Sequence, residues 1–281
     1  MAYFSVDAYA KGSRAENEAA KASLSRVSGW ERATRILDLG CGSGVITRWM
    51  ADTSLAQLVV GVDVMPQMVE YAQFHHQRAG LQYLIADVQD TSVVQRDWRD
   101  SFDLVTAFNL FHITPRADHV LSNVHQVLSP GGRIFFNLEL PWKTPVWRRV
   151  IRELEGSSRW RTRFKDLSRC TSAWYRAVLL DDPLATFPWF DPSGMRTLLE
   201  SKGFAVDCLE ETCTETPVKS NWISSILPHT CLVSPEERRE FMRDLEDAIF
   251  AAADHVDNPV AKCYCLYVTA SKPPAYEVTM L

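Results

Sequence analysis

Residues 35 to 44 read Arg35-Ile36-Leu37-Asp38-Leu39-Gly40-Cys41-Gly42-Ser43-Gly44. An apolar run carrying one acid gives way to three glycines alternating with small residues, and Val45 to Met50 continues as a helical pattern. That order predicts a strand, a tight loop and a helix. Glycine lets the backbone bend sharply and leaves no Cβ between chain and ligand. A helix start offers unpaired N–H groups to a polar ligand. The spacing narrows the choice of ligand. A dinucleotide loop needs Gly-x-Gly-x-x-Gly, but here the third glycine comes one residue early and Val45 stands in the last place. No Gly-Lys-Ser/Thr follows, which excludes a P-loop.

Working outward, Leu58-Val59-Val60-Gly61-Val62-Asp63-Val64 is a near-continuous apolar run. Such a run predicts a strand buried on both faces, hence a parallel sheet. It ends in Asp63, whose carboxylate could accept both hydroxyls of a ribose. Pro66 fits the first turn of a helix reaching His76 or Ala79. Leu81 to Ala86 reads as a third strand closed by Asp87-Val88, and Phe102 to Phe108 as a fourth. Asn109-Leu110-Phe111-His112 leaves its carboxyl end, the edge where open α/β sheets bind ligands. Thr114 and Pro115 start a helix with Val120, Leu121, Val124, Val127 and Leu128 on one face. Ser129-Pro130-Gly131-Gly132 reads as a turn, and Ile134 to Leu140 as a fifth strand. The alternation predicts an α/β fold with a doubly wound, mostly parallel seven-stranded sheet and right-handed crossovers.

Upstream, Ser13 to Val27 reads as one surface helix, rich in alanine and salt-pairing residues. Downstream, Pro141 to Phe190 breaks the rhythm. These 50 residues hold nine aromatics, and Lys143 to Arg169 carries nine basic side chains against three acids. An aromatic, basic insertion there suits a helical substrate cap, with Trp142, Trp147 and Trp174 against an apolar body and an arginine for a carboxylate. Asp191-Pro192 and Lys202-Gly203 bracket a further helix, and Phe204 to Leu209 a sixth strand. Thr216 to Leu232 is a second insertion, with Trp222 on a possible helical face. Ser234-Pro235-Glu236-Glu237 is a capping box, starting a helix that buries Phe241, Leu245, Ala248, Ile249 and Ala252. Lys262 to Ala270 closes the sheet. The chain therefore reads as one domain over 1–281, with a ligand-binding core at 30–140 and cap insertions at 141–190 and 216–258.

Composition sets bounds on function. Net charge is −5 and charged residues make up 23% of the 281, ordinary values that give no global attraction to nucleic acid. No apolar run reaches the roughly 18–20 residues of a spanning helix, and the first residues carry no signal-peptide pattern. The seven cysteines form no Cys-x-x-Cys pair and no zinc spacing. Free thiols in a reducing cytoplasm, with no metal, are the expectation.

An acid two residues before Gly-x-Gly-x-Gly resembles motif I of the class I S-adenosylmethionine (SAM) dependent methyltransferases. The resemblance implies SAM as cofactor, with Asp38, Gly40, Cys41, Gly42 and Gly44 around its amino-acid tail and Asp63 on the ribose. Val64 and Met65 would flank the adenine, Asp87 and Val88 would recognise it, and Asn109 would close the fourth strand tip. The Ser13 to Val27 helix would lie over the ligand, with Tyr9 and Lys11, just before it, in reach of the ligand. The Asn/Asp-Pro-Pro-aromatic signature of amine methyltransferases is replaced by Asn109-Leu110-Phe111-His112, which implies an oxygen or other small-molecule acceptor.

Tyr9-x-Lys11, Tyr71-Ala72-x-x-His75-His76, the long insertion, Ser234-Pro-Glu-Glu and Tyr264-x-x-x-Val268-x-Ala270 are similar to the arthropod juvenile hormone acid / farnesoic acid O-methyltransferases. That family esterifies a sesquiterpenoid carboxylate. It usually carries Gln near the position of Glu16 and Trp directly after the match to His112, where this chain has Ile113. The resemblance implies Glu16, Ile113, Trp142, Trp147, Trp174 and Trp222 at the substrate and His112 as the catalytic group. His112 would orient an ionised carboxylate, or act as general base on a phenol or alcohol. The open alternatives are another small acceptor, such as a phenol, lipid or other acid, and a SAM-binding partner protein without catalysis. The oligomeric state is left open.

Overall fold

The computed structural model describes residues 6–90, 98–164, 186–217, 233–234, 236–252 and 260–274. Trp174 and Trp222 lie outside them. Seven strands form one sheet: β1 (Arg35–Leu39), β2 (Leu58–Asp63), β3 (Leu81–Ile85), β4 (Phe102–Phe108), β5 (Leu128–Glu139), β6 (Ala205–Pro217) and β7 (Val260–Ser271). Their order is β3-β2-β1-β4-β5-β7-β6. The first five run parallel, and β7 is antiparallel to both β5 and β6. Strand order reverses between β1 and β4, the topological switch point at which such sheets open a crevice.

Helices cover both faces. They are α1 (Val6–Gly12), α2 (Arg14–Leu24), α3 (Val45–Thr53), α4 (Pro66–His75), α5 (Ala117–Val127), α6 (Pro145–Gly156), α7 (Arg161–Phe164), α8 (Pro192–Ser201) and α9 (Arg238–Ala252). Burial explains the strand composition. Val60, Val62, Leu37, Leu39, Val105 and Ala107 face one core with α5 and α8, while Ile36, Val59, Leu104 and Phe135 face another with Leu24, Trp30 and Met50. A strand enclosed on both sides has no position left for a polar residue without a partner.

Three boundaries differ from the sequence reading. The helix read over Ser13 to Val27 is α2, which ends at Leu24, and a separate helix, α1, precedes it over Val6–Gly12. The turn at 129–132 is absorbed into β5 as an irregularity: Phe102 pairs with Leu128, but Leu104 pairs with Arg133. Strand β6 runs on from Leu209 to Pro217 because β7 offers partners along its whole length.

The post-β5 segment forms its own core. Val146, Trp147, Val150, Ile151 and Leu154 of α6 and Trp160 pack against Phe241, Leu245, Ala248, Ile249 and Ala252 of α9. Trp160 donates to Asp244 at 2.9 Å, and Arg163 pairs with Glu237 at 2.6 Å. Arg159 pairs with Glu240, and Arg149 donates to the Ala252 carbonyl. Arg149, Arg159 and Arg163 thus join helix to helix. The capping box is present in part, with the Ser234 N–H donating to Glu237 at 3.0 Å. Among the described residues no helix is long and apolar enough to cross a membrane.

Candidate active site

The strand tips converge as the topology requires. Val62 and Ala107 flank Leu39 in register, and Asp63 is paired with Ile85. The Asp63 carboxylate sits at the centre. Its Oδ2 accepts the Gly42 N–H at 2.9 Å and its Oδ1 accepts the Met65 N–H at 2.9 Å. Each carboxylate oxygen can take a further hydrogen bond, so the half-buried group retains capacity for a vicinal diol. Burial raises its pKa, and the bonds from Met65 and Gly42 oppose that shift.

The glycine loop is held from both sides. A Cβ on Gly42 would lie 3.5 Å from the Tyr9 ring, and one on Gly40 would lie 3.0 Å from Leu110 Cδ1. Tyr9 stands within α1 and brings that helix over the loop. Burial pushes its pKa up to about 12, with Asp63 and Glu16 adding to the shift. Lys11 is exposed in the last turn of the same helix.

Several expected ligand contacts point elsewhere. The Gly40 and Cys41 N–H groups both donate to Val62 O, at 2.8 and 2.9 Å, and Gly44 N–H donates to Cys41 O. With Gly42 bonded to Asp63, all four of these amides are engaged within the protein and shape the loop. Asp38 is 2% exposed, and its two oxygens accept from Thr47 Oγ1 at 2.6 Å and Thr106 Oγ1 at 2.8 Å. It ties β1 to α3 and to its register partner on β4. Cys41 is buried, and burial holds its thiol well above the ordinary value. Gly44 makes room for α4, and Tyr83 donates to its carbonyl at 3.1 Å.

At the β3 tip Asp87 is exposed and accepts the Gln89 N–H at 2.9 Å. It lines a cleft of about 400 Å³ together with Gln89, Asp90, Arg116 and His119. Val88 instead belongs to the main core. Val64 is 61% exposed and Met65 half-buried, so both apolar side chains remain reachable beside Asp63.

At the β4 tip Asn109 adopts a left-handed φ of 53°, a conformation Asn tolerates better than most residues. It is fixed by Asn137, whose Oδ1 accepts the Asn109 N–H at 3.2 Å and whose Nδ2 donates to Asn109 Oδ1 at 2.9 Å. His112 Nδ1 accepts the Glu139 N–H at 3.2 Å, and burial alone lowers its pKa to about 4. The Glu139 carboxylate accepts from Trp147 Nε1 at 2.9 Å. Trp147, expected at the substrate, is 3% exposed and serves the cap core; Ile113 packs against that same core. Trp142 is half-buried against the main core with Lys143 Nζ 5.0 Å over its ring. Glu16, on α2, has a buried Oε2 with no hydrogen-bond partner.

Leu110, Asn137 and Glu139 were not singled out in the sequence. Asn137 had a signal: it is the one polar residue in Phe135-Phe136-Asn137-Leu138. Among the described residues no cluster of His, Cys, Asp or Glu could hold a metal ion.

Residues 37–136 match the methyltransferase domain family. The matched segment runs from β1 into β5 and takes in the glycine loop and the strand tips around it. Over 105 residues the chain is 31% identical to a ubiquinone biosynthesis O-methyltransferase of Xanthomonas axonopodis, covering 37% of this chain and 42% of that protein. Over 118 residues it is 30% identical to a fatty-acid O-methyltransferase of Mycolicibacterium smegmatis, covering 42% of each. The chain thus spans about two fifths of the length of these relatives. A solved S-adenosylmethionine dependent methyltransferase from Mesorhizobium loti shares the fold, with TM-score 0.51 and 21% identity over 89% of this chain and 96% of that one. None of these relatives singles out the juvenile hormone branch.

Proposed function

We propose that this protein transfers the methyl group of SAM to the carboxylate of a small apolar, isoprenoid-like acid, giving a methyl ester. The observation that carries the reading is the hydrogen bond from the Glu139 N–H to His112 Nδ1. That nitrogen is then occupied, so the neutral ring holds its proton on Nε2. With the pKa lowered to about 4, the ring stays neutral at physiological pH. Its remaining nitrogen is then a hydrogen-bond donor and not a base. A donor suits an acceptor oxygen that is already ionised, as a carboxylate is at neutral pH.

SAM, when bound, supplies an electrophilic methyl group. The chain's own residues have no proton to remove. His112 Nε2–H orients the acceptor oxygen, and the Tyr9 helix and the α6–α9 cap exclude water. Orientation of this kind contributes up to about 7–11 kcal/mol in model reactions. Asp63 holds the ribose hydroxyls, Val64 and Met65 cover the adenine, and Asp87 accepts from its amine. The similarity to a fatty-acid O-methyltransferase supports an acid acceptor. A phenol acceptor is the second reading, favoured by the similarity to ubiquinone O-methyltransferases. It needs a base where His112 presents a donor.

Turnover of farnesoic acid and of medium-chain fatty acids tests the assignment. Between about pH 6 and about pH 9 the rate stays flat, because no group in the step titrates there. His112→Ala keeps measurable turnover, reduced about 10- to 100-fold, the value of one hydrogen bond to a charged group. A rate that climbs with a histidine-like pKa and vanishes in His112→Ala supports the phenol reading. SAM binding without turnover of any acid leaves the role of a SAM-binding partner. Asp63→Ala weakens SAM binding by about 1–3 kcal/mol, the loss of charge-assisted hydrogen bonds. Unchanged affinity by isothermal titration removes Asp63 from the ribose.

A further inference from the structure

Among the buried polar side-chain atoms that lack a partner in the described residues, Glu16 Oε2 is the one carboxylate oxygen. A buried, unpartnered carboxylate is costly unless it is protonated or meets a cation. No Lys, Arg or His among the described residues pairs with it. On its own helix, Lys21 is bonded to Glu18 at 2.8 Å. On α3, which packs against α2, Arg48 is bonded to Asp52 at 2.8 Å. From α1 the facing group is Tyr9, whose burial keeps its hydroxyl protonated. Tyr9 in turn lies against Gly42 and feels both Glu16 and Asp63. Tyr9 thus links Glu16 to the glycine loop that Asp63 also holds.

The tail of the methyl donor carries an α-ammonium group, and the loop has no free anion for it. Asp38, the acid nearest by sequence, has both oxygens bonded to threonines. Asp63 holds the Gly42 and Met65 amides and, in the reading above, gives its remaining capacity to the ribose hydroxyls. We infer that Glu16 binds the α-ammonium group of the donor's amino-acid tail, closing α1 and α2 over the loop when the ligand enters. The inference rests on donor binding at the strand tips, as proposed above, but not on the identity of the acceptor.

Burial raises the Glu16 pKa in the free protein. Pairing with an ammonium favours the ionised form, so donor binding releases a proton from the fraction of Glu16 that holds one. Affinity then rises with pH while free Glu16 loses its proton, and falls again above about pH 8 as the donor's own ammonium group deprotonates.

Isothermal titration in buffers of different ionisation heat tests this on the full chain, using SAM, S-adenosylhomocysteine and 5′-methylthioadenosine. The first two carry the ammonium and the third lacks the tail. Glu16→Gln is expected to weaken SAM and S-adenosylhomocysteine equally, by about tenfold, the loss of one charge-assisted hydrogen bond. It abolishes the proton release and leaves 5′-methylthioadenosine unchanged. That last ligand also reports that the variant is folded. Unchanged affinities for all three overturn the inference. A loss confined to SAM overturns it too, because it places Glu16 at the sulfonium. An equal loss for 5′-methylthioadenosine reduces Glu16 to a structural part of the lid. If the unaltered protein binds none of the three, the donor-binding reading itself fails.

Discussion

Gly44→Ala lowers the stability of this protein by about 2–4 kcal/mol. The backbone there has φ +83°, and a Cβ would stand 2.7 Å from Ala72 Cβ and 2.9 Å from Tyr83 Cε1. Ala72 is fully buried on α4 and Tyr83 is buried on β3, so neither can withdraw without moving an element. The substitution also pushes α3 away from the Tyr83 hydroxyl, which donates to the Gly44 carbonyl. Gly131 is the control. It has φ +81° but open space around its Cβ position, so Gly131→Ala carries the conformational cost alone, about 1–2 kcal/mol. Guanidinium unfolding of both variants separates the terms. Equal losses would mean that the loop and α4 are not packed as described.

Gly44 also shows where sequence reading stops. The strands were legible because residues buried on both faces of a parallel sheet must be apolar throughout, and Phe102–Phe108 lies where its composition puts it. The loop was legible as a loop. Which glycine served the ligand and which served packing was not, since Ala72 and Tyr83 approach Gly44 from 28 and 39 residues away in sequence. The contacts of Asp38 are likewise set between elements. Strand alternation fixes that it shares a face with Thr106, but not that Thr47 meets it from α3. The cap arginines looked available because their partners, Glu237 and Glu240, lie some 74 and 81 residues downstream. The tautomer of His112 depends on a backbone amide 27 residues on.

Asp38 itself yields a second large effect, in the pH dependence of folding. Its carboxyl is fully enclosed, and burial raises its pKa from 3.8 to about 6 in spite of the bonds from Thr47 and Thr106; the charge of Asp63 adds to the rise. The folded protein therefore keeps a proton that the unfolded chain loses at lower pH. Stability linked to this group is full below about pH 4 and falls as pH rises to about 6, by about 3 kcal/mol in all. This is the reverse of a salt-bridged carboxylate, whose contribution is lost on acidification. Asp38→Asn removes the titration while keeping an oxygen for one threonine and offering Nδ2 to the hydroxyl oxygen of the other. Glu16, whose pKa is also raised, remains in both proteins and cancels in the difference, while the coupling to Asp63 is part of what the difference reads. The stability of Asp38→Asn relative to the unaltered chain is thus expected to improve by about 3 kcal/mol between about pH 4 and about pH 7, read from unfolding curves across that range. A flat difference would show that Asp38 ionises at its ordinary pKa, which an acid bonded only to two buried hydroxyls does not do.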